Sequence, residues 1–291
     1  MRRLLALASL LLLAVSALPA QTVYSTTNFS GWFLGTKPSI TGGDLVTQAA
    51  TTNAALVYFE APGHQYTMSV GETLTLSANF TMASGTSVSS SRTFYLTLQN
   101  SNSTLSTNNQ VTANLAGATA NALFGNYTGY GLLTNPGPSG ASAGQFDVRS
   151  GTNTNIAGST TPWVLPSSLV AMTSATFTTD STHNYNISYT IKDVSSSEID
   201  FTYTLTNLTT STLLASYSGA ATGLSGSNYV TSFDTIALGV TSAQTGSFKI
   251  TDLSLTSITS IPEPSAYAVA AGILAMGFVA WRRRAVLSRQ A

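Results

Sequence analysis

The dominant pattern between residues 21 and 257 is an alternation of apolar and polar side chains with a period of two. It is clearest in four segments, residues 74–82, 94–98, 185–191 and 198–205. Each segment places an apolar row on one face and a row of hydroxyl and amide side chains on the other, which is typical of a half-buried β-strand. Threonine suits the outer face because its branched Cβ favours the pleated backbone.

Other segments of the body continue this pattern and bring the total to about a dozen predicted strands. They cover residues 23–26, 31–34, 44–49, 54–60, 127–133, 144–149, 213–217, 235–240 and 248–255. In the last of them the phase slips between Ile250 and Leu253, which predicts a bulge. No body segment sustains a 3.6-residue period. We therefore expect an all-β fold, a single antiparallel β-sandwich that is jelly-roll-like.

Four stretches interrupt the strand pattern and are predicted to be loops, one of which, residues 135–140, is rich in proline and glycine. Residues 84–91 are rich in serine, and residues 101–122 are poor in large apolar side chains, so they form either a long loop or weak strands. Residues 151–166 contain Trp163, which lies between two prolines. An aromatic ring in such a loop is expected to be exposed.

The first twenty residues have the three-part pattern of a cleaved export peptide. The chain starts Met-Arg-Arg, continues with an apolar run, and then has small residues that allow cleavage after Ala17 or Ala20. The run is too short to span a bilayer, so a cleaved signal is favoured over an uncleaved anchor. Residues 1–20 are therefore interpreted as an N-terminal signal helix.

The C-terminal end combines three features in a fixed order. These are the motif Pro262-Glu263-Pro264, an uncharged apolar run over residues 265–281, and the cluster Arg282, Arg283 and Arg284. As a helix the run would be about 26 Å long, close to the ~30 Å of a hydrocarbon core. Arginines after such a helix stop it on the cytoplasmic side. This pattern predicts a transmembrane helix over 265–281, with the body outside the cytoplasm and a basic tail, 282–291, inside.

Taken together, residues 259–291 resemble the PEP-CTERM sorting signal of Gram-negative bacteria. The resemblance implies recognition by an exosortase, a membrane protease-transpeptidase that cuts near Pro262, Glu263 and Pro264 and releases or transfers the body. Members of this family are exported surface or matrix proteins, often made alongside exopolysaccharide. The implied partners are thus the exosortase, the export machinery, the inner membrane transiently, and exopolysaccharide. An ordinary single-span anchor is the alternative.

The body, residues 21–258, also resembles a known fold, although only in its strand rhythm. Its second half, residues 185–255, is similar in this respect to the concanavalin and laminin-G-like sandwiches that occur beside such sorting tails. This resemblance implies a jelly-roll sandwich and carries no motif, so it assigns no site residue.

Charge is scarce and unevenly distributed along the chain. Only 8% of the residues are charged and the net charge is zero, against about 25% charged residues in a typical domain. Residues 21–260 hold five basic and ten acidic side chains, which gives the body a net charge of −5. A body without a basic surface is not expected to bind nucleic acid. The absence of cysteine excludes disulfides and cysteine-ligated metals.

Catalytic residue patterns were sought and are mostly missing. His64 and His183 are the only imidazoles, and both are expected in turns without a partner motif. Glu198 and Asp200 share a strand face, as do carboxylates of sandwich-fold glycosidases, but the third position of that pattern is Tyr203, on the opposite face. We therefore expect no enzyme activity and no cofactor, with a polysaccharide hydrolase or lyase as the alternative.

Two kinds of binding site were considered for the body. Asp180, Asp193, Asp234 and Asp252 carry oxygen ligands suited to calcium, but no motif organises them, so no metal site is predicted. Glycan contact would use exposed aromatic rings, because a ring face matches the apolar face of a sugar. Three aromatic residues are candidates for this contact: Trp163, Tyr127 and Tyr130. The prediction is an exported, non-enzymatic surface or matrix protein, with a carbohydrate-binding module as another alternative.

Overall fold

The structure is a computed structural model in which the chain divides into two compact units. It describes residues 19–47, 53–83, 87–88, 94–116, 120–134, 145–149, 153–157, 163–167, 180–240, 244–259, 272–274, 276–278 and 281. One unit is Gln21–Ser257, and the other comprises the two ends, Met1–Ala20 and Ile258–Ala291. Every strand of the described chain lies in the first unit, apart from Ile258 at the end of the last strand.

The described residues form nineteen β-strands and two short 3₁₀ turns. In chain order the strands are β1 (Gln21–Thr26), β2 (Phe33–Leu34), β3 (Ser39–Thr41), β4 (Asp44–Val46), β5 (Asn53–Tyr58), β6 (Tyr66–Thr67), β7 (Thr73–Met82), β8 (Ser87–Val88), β9 (Phe94–Asn100), β10 (Thr128–Thr134), β11 (Gln145–Arg149), β12 (Trp163–Val164), β13 (Tyr185–Ser195), β14 (Glu198–Asn207), β15 (Thr212–Ala221), β16 (Ser232–Phe233), β17 (Thr235–Val240), β18 (Gln244–Thr245) and β19 (Phe248–Ile258). The 3₁₀ turns cover Ala122–Asn126 and Gly226–Asn228.

Two large antiparallel sheets contain most of these strands. The eight-stranded sheet has the order β15-β14-β13-β7-β19-β4-β3, with β1 also paired to β19. The seven-stranded sheet has the order β12-β11-β10-β9-β17-β5-β2. Two small ladders join β6 to β16 and β8 to β18. The predicted all-β antiparallel sandwich is therefore confirmed, and its two sheets pack against each other as in a jelly roll.

The long strands owe their position in the sheet to the alternation seen in the sequence. In β7 all ten residues alternate between half-buried and buried, and β14 shows nearly the same pattern. The buried row of each strand faces the opposite sheet, where aromatic rings interlock. Phe80 lies 5.5 Å from Tyr185 and 6.3 Å from Phe94 between ring centroids. Burial of such rings is a main source of stability in a sandwich core.

The first and last strands of the body pair with each other. Gln21 lies opposite Ser257 and Tyr24 opposite Leu255, with a register shift after Thr22. The predicted phase slip in β19 is also present, since Ile250 and Leu253 are both fully buried with two half-buried residues between them. This slip lets both halves of β19 contribute buried side chains to the core.

Several predicted elements differ from the structure because short strands carry little periodicity. β3 and β4 form a hairpin whose turn uses Gly42 and Gly43, at φ 62° and 94°, and β3 was not predicted. Within the predicted serine-rich loop, the described residues Ser87–Val88 form a strand. Trp163 begins β12 rather than lying in a loop, because its backbone pairs with Arg149.

The terminal segments are described only in part. Residues 272–274, 276–278 and 281 are helical and exposed. In the part of the chain that the structure describes, no helix combines the length and the apolar character required to cross a membrane. The signal residues 1–18, the motif Pro262, Glu263 and Pro264, and most of the predicted span 265–281 lie outside the described residues. Arg282, Arg283 and Arg284 also lie outside them.

Candidate functional site

The outer face of the seven-stranded sheet is closed by a cover, defined here as residues 101–116, 120–127 and 153–157. A second hydrophobic core lies between this cover and the sheet. Buried side chains of the cover, such as Leu115, Phe124 and Ile156, pack with Leu56 and Trp163 of the sheet. A face that could have formed an open binding surface is therefore occupied by the chain itself.

Polar contacts fix the cover at one end of this second core. The hydroxyls of Tyr58 and Tyr127 lie 2.7 Å apart, the backbone N–H of Val111 donates to Tyr58, and Tyr127 donates to the carbonyl of Asn109. Burial raises the pKa of Tyr58 to about 12 and raises that of Tyr127 further. Both phenols therefore stay protonated at neutral pH and act as structural hydrogen-bond groups.

Arg149 is the most unusual side chain of this face, because it is a fully buried cation. Its guanidinium donates to the carbonyls of Phe124 (2.8 Å), Asn153 (2.8 Å) and Asn155 (2.6 Å), and more weakly to that of Ile156 (3.5 Å). It also lies 5.7 Å from the centroid of the Trp163 ring. Burial lowers the pKa of Arg149 to about 10, so the side chain remains charged at neutral pH.

The role of Arg149 was not predicted from the sequence, although its strand carries a recognisable pattern. On β11 the polar residues Gln145, Asp147 and Arg149 alternate with Phe146 and Val148. Such alternation normally indicates a solvent-facing polar row, yet every residue of β11 is buried. Gln145 donates to Asp147 at 2.5 Å within this row. Only the presence of the cover distinguishes a buried polar row from an exposed one.

The three aromatic residues proposed for glycan contact are not exposed. Trp163 is 5% exposed, and Tyr127 and Tyr130 are fully buried. Trp163 and Tyr127 belong to the second core beneath the cover. Tyr130 points between the sheets, where its ring packs 5.3 Å from Phe201. The expectation of exposed rings was therefore wrong, because a tryptophan between two prolines became a sheet residue and the two tyrosines satisfy their hydroxyls inside the protein.

On the outer face of the eight-stranded sheet, the outward side chains of β7, β13, β14 and β15 are half-buried or exposed, in contrast to those of the covered sheet. The cross-strand rows on these four strands form a regular array that we call the hydroxyl face. The array comprises twelve positions in three rows of four: Thr75, Thr190, Thr202 and Ser218; Ser77, Ser188, Thr204 and Ser216; Asn79, Asn186, Thr206 and Leu213. Eleven of these are uncharged hydroxyl or amide side chains.

Hydrogen bonds order one half of the hydroxyl face. Between β7 and β13, the Thr75 and Thr190 hydroxyls lie 3.1 Å apart, and the Asn186 amide donates to Ser77 and Asn79 at 2.7 Å. Charged groups border the array: on one side Asp252 accepts a hydrogen bond of 3.1 Å from Asn79. Lys192 and Asp200 form the next cross-strand row. This arrangement offers donors and acceptors of hydrogen bonds without a net charge.

The two carboxylates weighed as catalysts lie on one strand. Glu198 and Asp200 are half-buried on β14, and Tyr203 is buried on the other face, as predicted. The third position of the glycosidase pattern therefore points into the core and carries a phenol, where that chemistry would use a second acid or base.

The two imidazoles lie in local turns, as expected. The backbone N–H of His64 donates to the carbonyl of Ala61 and closes one turn, and His183 lies in a bend. His183 Nδ1 lies 2.7 Å from a carboxylate oxygen of Asp180 on the exposed surface. The Thr182 hydroxyl lies 3.1 Å from the same nitrogen, whereas a catalytic triad holds its nucleophile at the other ring nitrogen. The cluster is therefore a turn stabilised by hydrogen bonds.

The four aspartates considered for calcium each have local partners. Asp234, the most buried, accepts hydrogen bonds from the Ser101 backbone N–H and hydroxyl and from Thr235. Hydrogen bonds from Thr182, together with the neighbouring His183, lower the pKa of Asp180 to about 2. Asp193 accepts a hydrogen bond from the Tyr229 hydroxyl, and Asp252 accepts one from the Asn79 amide. Among the described residues, no group of three or more side chains that could hold a metal ion is present.

Comparisons with known proteins give structural likeness and no family. No protein-family model matches the chain, and no curated protein sequence matches it. Arcelin-5, a lectin-like defence protein from Phaseolus vulgaris, is 11% identical with a TM-score of 0.46. The match covers 81% of this chain and 98% of the arcelin chain. Lectin I from Ulex europaeus is 10% identical with a TM-score of 0.46, and the match covers 81% of this chain and 97% of the lectin. Peanut lectin with a bound peptide is 8% identical with a TM-score of 0.45, and the match covers 82% of this chain and 98% of the lectin. Likeness at such low identities and TM-scores gives no information about ligands.

Proposed function

We propose that this chain is an exported, non-enzymatic surface or extracellular-matrix protein, delivered by a PEP-CTERM signal and processed by an exosortase. One observation carries the proposal. The folded body begins and ends at Gln21 and Ser257, which are cross-strand partners. One of the two predicted signal cleavage sites, after Ala20, comes just before this body in the chain, and the Pro262-Glu263-Pro264 motif comes just after it, which supports the proposal.

The two predicted targeting segments contribute no described residue to either hydrophobic core. All described residues of the two hydrophobic cores lie between Gln21 and Ser257. A leader removed up to Ala20 and a tail cut near Pro262 would therefore leave both sheets complete. A cargo that keeps its fold after two cleavages is what an export and sorting route requires.

The chemistry of the body favours a role without catalysis. The covered face of the seven-stranded sheet is filled by the chain itself, and the open face of the other sheet carries hydroxyl and amide groups. Glu198 and Asp200 lack a third carboxylate in the position that a glycosidase of this architecture would use. Contact through an extended surface fits these observations better than turnover in a cleft.

Mass spectrometry of the protein made in its natural type of host tests the proposal. Export should remove about 2 kDa from the N-terminus, and the mature protein should end near the Pro262-Glu263-Pro264 motif. In a strain without exosortase, the tail should stay attached and the protein should stay in the membrane fraction. Mature surface material that retains Trp281 and the residues after it would contradict the sorting part of the proposal.

A further inference from the structure

The two outer faces of the sandwich differ in whether a macromolecule can reach them. The cover and the second core occupy the outer face of the seven-stranded sheet. The hydroxyl face is accessible, with Thr202, Ser216 and Ser218 exposed and Leu213 exposed to 57%. A broad binding surface on the described body therefore belongs on the hydroxyl face.

The twelve positions of the array are uncharged although charged groups border them, and this restricts the chemistry of a partner that contacts them. Solvent-facing sheets usually carry lysine and glutamate, which improve solubility. Here the twelve positions hold no charged residue. A charge pressed against a neutral partner would lose hydration without compensation, whereas hydroxyls exchange hydrogen bonds with water for hydrogen bonds with the partner. The face thus complements a neutral surface that is rich in hydroxyls.

The half of the face formed by β14 and β15 leaves its hydroxyls available. The side chains of Thr202, Thr204, Ser216 and Ser218 make no hydrogen bond to another described residue, in contrast to the bonded half on β7 and β13. These four hydroxyls form a block of two rows on two strands. Neighbouring strands are about 4.8 Å apart and alternate residues about 6.8 Å apart, so the block presents several donors and acceptors at once.

We propose that the hydroxyl face binds a neutral polysaccharide, with the hydroxyls of Thr202, Thr204, Ser216 and Ser218 as the principal contacts. Each hydrogen bond contributes little by itself, and a repeating polymer gains affinity because many identical contacts can form and re-form along it. This inference deepens the surface role proposed above. It rests on that role only in assuming that export brings the protein to the polysaccharide outside the cell. It is tested on purified protein, so it can fail while the export proposal holds.

Native affinity electrophoresis of the full-length chain in mild detergent provides the test. The gels contain dextran or hydroxyethylcellulose as neutral probes, or alginate as an anionic probe. One variant, Thr204→Lys with Ser216→Lys, places two charges on the face. A second, Thr202→Val with Thr204→Val, removes two hydroxyls and keeps the β-branched shape. The matched control, Thr112→Lys with Ala113→Lys, adds the same charge to exposed positions of the cover.

We expect a neutral probe to retard the wild-type chain and the control equally, with little change after an about tenfold rise in salt. The valine variant should bind about tenfold more weakly, and the lysine variant should lose retardation, both with unchanged thermal unfolding. Retardation by alginate alone, or equal binding by all variants, would overturn the inference. Absence of binding would also overturn the inference. The same holds if the wild type does not bind but sediments as a dimer, and the lysine substitutions dissociate that dimer.

Discussion

Arg149 connects the cover to the seven-stranded sheet through a single side chain. Its planar guanidinium has five N–H donors, and four backbone carbonyls of the cover lie around it. A buried cation is expensive to desolvate, so this arrangement is stable only because the carbonyl dipoles and the Trp163 ring face the charge. The residue therefore acts as a structural anchor.

Replacing Arg149 should destabilise the protein strongly. Arg149→Met fills a similar volume but leaves buried carbonyls without donors, and we expect a loss of about 3–5 kcal/mol in the free energy of unfolding. The control is Lys249→Met, which breaks the ion pair with Asp44 (2.6 Å) at an exposed site and should cost less than about 1 kcal/mol. Urea denaturation measures both. Equal effects of the two substitutions would show that Arg149 does not hold the cover.

At the scale of elements, two glycines shape the packing of β10 against its neighbours. Gly129 and Gly131 face the cover side of the sheet, between β9 and β11. A Cβ on Gly131 would lie 2.9 Å from the Trp163 ring and 3.1 Å from a methyl of Thr97. The ring of Trp163 can therefore approach the backbone of β10 closely, while Arg149 lies over the same ring.

A methyl group at Gly131 should disturb the close packing of the Trp163 ring against β10. We expect Gly131→Ala to destabilise the protein by about 1–3 kcal/mol, because ring and strand must move apart in a packed core. Gly31→Ala is the matched control, since a Cβ there would meet nothing within 4 Å, and its effect should lie within about 0.5 kcal/mol. Thermal unfolding and tryptophan fluorescence measure both. A Gly131→Ala protein as stable as the Gly31→Ala protein would contradict the packing described.

Elements with long alternation were predictable, and short ones were not. β7, β13 and β14 each bury one face of a sheet over ten or more residues, so their period of two is visible in the sequence. β6, β12 and β16 have only two residues each and depend on partners far away in the chain. Their pairing is a tertiary property that local patterns do not encode.

The candidate binding face could not be located from the sequence for a related reason. The same alternation that predicts a polar face does not tell whether that face is open or covered. On β11 the polar row is buried and its Arg149 is bonded to the cover, whereas on β14 the polar row is half-buried or exposed. The sparse apolar residues of the cover, Leu115, Phe124 and Ile156 among them, are the one feature of the sequence that indicates a covered face.

At the scale of the whole molecule, the seven-stranded sheet is shared by two cores. One core lies between the sheets and the second lies under the cover. The pairing of β1 with β19 closes the other sheet with both ends of the body. The buried carboxylate of Glu72 reinforces this closure, because it accepts a hydrogen bond of 2.6 Å from the Ser257 hydroxyl. The folded unit should thus end sharply at residue 257.

Truncation of the chain tests that boundary. A chain ending at Thr259 keeps β19 and should unfold at the same urea concentration as the longer protein. A chain ending at Asp252 loses the fully buried Leu253 and Leu255, the bond to Glu72 and the partner of β1. That loss amounts to about 5 kcal/mol or more, comparable with the whole stability of a domain, so the shorter chain should lack near-UV circular dichroism. A native spectrum from it would mean that the sandwich does not depend on joining its two ends.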